Sequence, residues 1–154
     1  MSYAQGTTVP VEKTQGEIVS LLKLHGCSKH GLFDLDGEAA LAFEMDKITY
    51  QMRIKMLSPE DKQFAQGRSG HTLSSTDKQK KVDAEVRRRW RSLLLVIKAK
   101  MVAVSDKVST FEQEFLAYAV MSDGRTVGDR VIPELHRAAI EGRGSALALP
   151  GLTT

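Results

Sequence analysis

The most regular stretch of the chain runs from Ile48 to Met56, where Ile48, Tyr50, Met52, Ile54 and Met56 alternate with Thr49, Gln51, Arg53 and Lys55. An unbroken period of two predicts a strand with one buried and one wet face. Before it, Leu41, Phe43 and Met45 alternate with Ala42 and Glu44, and Leu32-Phe33-Asp34-Leu35 comes earlier still. Asp36-Gly37 between these apolar stretches is a hairpin signal, because both residues tolerate positive φ. The pattern predicts a three-stranded antiparallel meander with strands near 31–35, 38–45 and 48–57.

Elsewhere the apolar spacing is helical. Ile18, Leu21, Leu22 and His25 lie one, three and four residues apart. They predict a first helix over about 11–25, with Pro10 at its start or Thr14 and Glu17 as a capping box, and Gly26 beyond its end. Val82, Val86, Trp90, Leu93, Leu94, Ile97, Met101 and Val104 fall on one arc of a long helix over about 77–105, capped by Ser75 or Thr76. At ~1.5 Å per residue this rod is roughly 40 Å long. Leu95 and Val102 lie opposite the stripe, so its second half is expected to be buried on two faces and its first half to project. Ser109 and Glu112 suggest a cap for a helix ending near Met121. Thr126 and Asp129 suggest another for a last helix that contains Pro133 and ends at Gly142.

Residues 58–76 read as a long loop, given Ser58-Pro59, Gly67, Gly70 and a Ser/Thr cluster. The order predicts an α+β fold: an N-terminal helix, the meander, the long basic amphipathic helix, and two further helices packed on one sheet face. The domain expected is 11–142, with a flexible arm at 1–10 and a loosely ordered tail at 143–154.

Charge changes this picture. Residues 1–61 carry six Lys and Arg against nine Asp and Glu. Residues 62–100 carry eleven against three, and residues 101–154 five against seven. The net +3 is therefore one strongly basic segment on a slightly acidic body, a distribution that attracts polyanions. Nine cations sit on the predicted rod: Lys78, Lys80, Lys81, Arg87, Arg88, Arg89, Arg91, Lys98 and Lys100. Arg87, Arg88, Arg91 and Lys98 share one flank beside the apolar stripe. Such a row can neutralise successive phosphates and release counterions, and arginine grips phosphate in a bidentate fashion. The other reading is a solvated face partly neutralised by Asp77, Asp83 and Glu85. Arg53 and Lys55 on the wet sheet face can extend the basic surface. Trp90 sits among arginines, where an exposed ring would stack a base, but its position in the apolar arc predicts it inward.

Other chemistry finds little support. Cys27 and His30 are two soft ligands without a second cysteine, so no metal or cofactor is expected. Asp34, Asp36 and Glu38 straddle a turn and read as solvated. Gly67-Arg68-Ser69-Gly70 lacks the Gly-Lys-Ser/Thr ending of a phosphate loop. No catalytic signature is complete, so no enzyme is expected. No apolar run approaches the ~18–20 residues that span a bilayer, and the first residues do not read as a secretory signal, so no membrane partner is expected. A single cysteine excludes an internal disulfide and fits a reducing cytosol.

Arg89-Trp90-Arg91, Leu93 to Lys100, Thr110 to Leu116, Asp123-Gly124-Arg125-Thr126-Val127-Gly128 and Leu149-Pro150-Gly151, following a helix-then-meander half, resemble a group of small phage and prophage proteins of unassigned function. The resemblance implies a phage-related setting in the host cytoplasm and no site residues. The function expected is non-catalytic binding of nucleic acid, single-stranded DNA ahead of duplex, through Arg87, Arg88, Arg91, Lys98 and Lys81 with Arg53 and Lys55. The alternative is a protein-interaction module, a phage inhibitor or adaptor of a host protein using the same surface. Homo-oligomers are compatible with the projecting helix and the open sheet edges.

Overall fold

The computed structural model describes residues 3–67 and 70–142. The expected loose tail at 143–154 lies outside them. The fold is α+β. Helix α1 (Val11–Leu24) leads into strands β1 (Lys29–Leu35), β2 (Glu38–Met45) and β3 (Ile48–Lys55), which form an antiparallel sheet in the order β1-β2-β3. The helices α2 (Ser75–Ser105), α3 (Phe111–Phe115) and α4 (Val127–Ile140) follow.

The register fixes the two faces. Leu32, Leu41 and Met52 form one row across the sheet, and Phe33, Ala40 and Arg53 form the next, on the opposite side. The first face packs against α1, α2 and α3. Leu41, Phe43, Tyr50 and Met52 meet Ile18 and Leu22 of α1, Trp90, Leu94, Ile97 and Met101 of α2, and Phe111 and Phe115 of α3. At one end of this core four rings interlock. Phe43 stacks on Tyr50 with centroids 5.5 Å apart, Phe111 stacks on Phe115 at 4.5 Å, and edge-to-face contacts join the two pairs.

Both hairpins turn over two residues, but not with the same geometry. At Asp36-Gly37 only the glycine takes a positive φ, +74°. At Asp46-Lys47 both residues do, at 49° and 66°. The turn with two left-handed residues, whose twist matches that of paired strands, therefore falls at Asp46-Lys47, without glycine.

The long helix is continuous and starts earlier than expected. Ser74, not Ser75 or Thr76, is the N-cap, its hydroxyl accepting from the Asp77 amide at 3.1 Å. At ~1.5 Å per residue its 31 residues span about 46 Å. Its second half is not buried on two faces: Leu95 and Val102 are exposed, because none of the described elements crosses the back of the rod. Its first half is anchored through Val82, and the preceding loop holds a short turn (Lys62–Phe64) with Phe64 buried.

The helix expected to run to Met121 stops at Phe115. Thr110 and Gln113 form the capping box one residue later than predicted, and a tight turn at Leu116–Tyr118 follows. The chain then extends, and Ala119 pairs with Tyr50 at the outer edge of β3, with the Val120 amide donating to the Thr49 carbonyl at 2.8 Å. Helix α4 has the expected cap, Thr126 with Asp129, and contains Pro133. It packs on the Leu116–Tyr118 turn through Gly128, where a Cβ would lie 2.9 Å from the Ala117 carbonyl oxygen, and otherwise stands away from the core.

Candidate functional site

The basic rod presents its cations in two different states. In the C-terminal direction from Glu85 most are engaged by the protein itself. Glu85 accepts from Arg88 Nε at 2.7 Å and lies 3.4 Å from Arg89 Nε. The second guanidinium also donates to the Lys55 carbonyl at 2.8 Å, tying α2 to the end of β3. Arg91 spans to α1, with Nη1 3.1 and 3.0 Å from the two carboxylate oxygens of Glu17. Arg87 donates to the Thr7 carbonyl at 3.3 Å, joining the N-terminal arm to the rod. Lys100 donates to the Glu114 carbonyl at 2.7 Å and lies over the rings of Phe115 and Tyr118, 5.7 Å from each.

The outward guanidinium row expected from the sequence is thus not displayed as such: Arg88 and Arg91 are salt-bridged and Arg87 is bonded to backbone. Among the described residues Lys80, Lys81 and Lys98 are exposed, with no hydrogen bond or ion pair. On a helical wheel Lys80 and Lys98 point in the same direction, 18 residues and five full turns apart. Lys81 lies on the neighbouring flank.

Arg53 and Lys55 belong elsewhere. Both side chains stand on the sheet face opposite α2. Arg53 is occupied by the Gln51 side-chain oxygen at 2.9 and 3.1 Å and lies 3.8 Å from Glu38. The seven residues singled out therefore do not form one surface. The same register brings a half-exposed aromatic, Phe33, into the row of Arg53, with Ala40 between them. Its ring leans back over Gly31, where a Cβ would come within 2.7 Å of it. The alternation Gly31, Phe33, Leu35 was the available signal.

Trp90 is buried, as its place in the arc predicts. Cys27 is buried too, and burial pushes its thiol up to about 11. We expect it to remain protonated and unreactive toward an aromatic disulfide reagent at pH 8, and to react at once when the chain is unfolded in urea. His30 is exposed at the start of β1. No group of three or more His, Cys, Asp and Glu arranged to hold a metal occurs among the described residues. Nor is any described helix long and apolar enough to cross a membrane.

Glu85 controls how much of the rod's charge is on display. Its hydrogen bond from Arg88 holds its carboxyl below the ordinary 4.5, and the charge of Arg89 adds to this. The folded value is lowered, so the stabilisation is present above the unfolded value and is lost as pH falls through the folded one. Glu85→Gln is expected to raise affinity for a polyanion about threefold to tenfold at neutral pH, by removing the negative charge beside Arg88 and Arg89. The advantage over the parent should shrink as pH falls through that lowered value, where Glu85 itself becomes protonated. An oligonucleotide titration of both proteins at two pH values measures it.

No family model, curated protein or solved structure matches the chain.

Proposed function

We propose that the chain is a non-catalytic polyanion-binding protein whose ligand is single-stranded nucleic acid. One observation carries the reading: an unbroken 31-residue helix bears nine cations against three acids, and Lys80, Lys81 and Lys98 stand free on it. Lysines along a stiff rod meet phosphates as point charges and need no matching geometry. With Trp90 inside and the arginines engaged, neither a stacking platform nor a bidentate clamp faces outward on the rod, so binding is modest and sequence-tolerant. The setting we propose is the host cytoplasm in a phage-related context, in line with the resemblance above.

The test is an anisotropy titration with labelled single- and double-stranded oligonucleotides across ionic strengths. Three phosphate contacts predict a log–log salt slope of about −2 on single strands. Affinity that ignores salt overturns the reading.

A second reading has its own support. Leu95 and Val102 flank Lys98 on the back of α2, and both are exposed. An apolar strip around a lysine fits an acidic protein surface better than a phosphate backbone. A pull-down that survives nuclease treatment and is lost in Leu95→Ser favours this inhibitor or adaptor reading.

A further inference from the structure

Helix α4 is strongly amphipathic, yet the described chain leaves most of its apolar stripe uncovered. Val131, Ile132, Leu135, Ala138 and Ala139 fall within about 120° at 100° per residue. Among the described residues only the first turn is anchored, through Thr126 and Gly128. Beyond it Val131 is 44% exposed, Ile132 49% and Leu135 61%. One border of the stripe carries Arg130, Glu134, Arg137 and Glu141, four charges alternating in sign within about 60°. Pro133 lies on the far side and obstructs nothing.

We infer that α4 pairs antiparallel with α4 of a second copy of this chain. The order of charges selects this occupant. In an antiparallel pair each border of a helix faces the same border of its neighbour. Placing the two-fold axis beside Leu135 sets Leu135 against its own counterpart. Val131 and Ile132 then meet Ala139 and Ala138 of the second copy, bulk against small. In the same register Glu134 faces Arg137 of the second copy, a contact that occurs twice. A parallel pair would oppose this row with the other border, which holds Asp129 and His136 and matches neither sign pattern. A foreign acidic or basic helix would meet half of the row with like charge. The Glu134–Arg137 pair within one helix, at 3.1 Å, is open to water, so exchanging it across the axis costs little. Three large side chains per helix bury less than the ~1,200 Å² of a stable interface, so the association is reversible.

Sedimentation of the full chain from about 1 μM to about 500 μM tests this, with a midpoint expected on the order of tens of micromolar. Glu134→Arg and Arg137→Glu should each weaken association about tenfold, and the double variant should restore it to within about threefold. Leu135→Asp should abolish it while circular dichroism stays unchanged, since the site is outside the core. Mild oxidation of Leu135→Cys should give a disulfide-linked pair. A monomer at every concentration overturns the inference. So does a dimer indifferent to the charge exchange. So does a monomeric Leu135→Cys variant whose new thiol resists a soluble alkylating reagent, which would mean that residues 143–154 cover the stripe instead.

Discussion

Replacing Phe115 with alanine is expected to remove about 3–5 kcal/mol of folding stability, the cost of deleting a fully enclosed aromatic ring and leaving a cavity behind. Phe115 is 0% exposed and touches the rings of Phe43, Tyr50, Phe111 and Tyr118. It also lies under the ammonium of Lys100. The site resists collapse because its neighbours are rigid rings on β2, β3, α3 and the Leu116–Tyr118 turn. A domain of this size has about 5–15 kcal/mol in total, so the variant should unfold at much lower urea, read by the emission of the single tryptophan. Trp90 is enclosed in the same core, so its emission should shift to the red in the same transition as the loss of helix. Destabilisation by less than about 1 kcal/mol would mean that the four-ring cluster is not packed as described.

The second large effect concerns binding. Lys80→Glu, Lys81→Glu and Lys98→Glu together are expected to weaken single-strand binding on the order of 100-fold at low salt, each lysine–phosphate pair being worth about 1 kcal/mol. The salt dependence should flatten at the same time. Stability should change little, because the three side chains are exposed and touch nothing charged. By contrast, Arg91→Glu should lower stability, since Glu17 is deprived of its partner and acquires a like charge beside it. If the lysine variant binds as tightly as the parent, the rod is not the ligand surface.

Sequence and structure agree where the physics is local. The nine-residue alternation at Ile48–Met56 and the apolar arc of the rod each encode a face directly, and the fold class follows from their order. The box at Thr126 and Asp129 is legible for the same reason, since both partners lie within one turn. Helix starts differ from expectation where two neighbouring hydroxyls compete. Ser74 caps in place of Ser75, and Thr110 in place of Ser109, and the sequence spacing alone does not choose between them. The state of the arginines is only half legible. Glu85 lies three and four residues before Arg88 and Arg89, a spacing that announces ion pairs. Glu17 reaches Arg91 only because α1 and α2 pack side by side, and no spacing records that. The separation of Arg53 from the rod is legible, since the alternation sets Arg53 and Lys55 on the wet face while the apolar arc of the rod must pack on the other.

The short extended piece after Tyr118 has a consequence for how the protein behaves when crowded. By bonding to Thr49 and Tyr50 it covers the start of the outer flank of β3, while among the described residues no strand pairs with the rest of that flank or with the outer flank of β1. Fibre growth needs two free flanks, one to accept each arriving unit and one to offer the next. Here the covered start shortens one of the two, so partly loosened chains should meet first through β1, the longer open flank, and filaments should grow more slowly than from a sheet with both flanks bare.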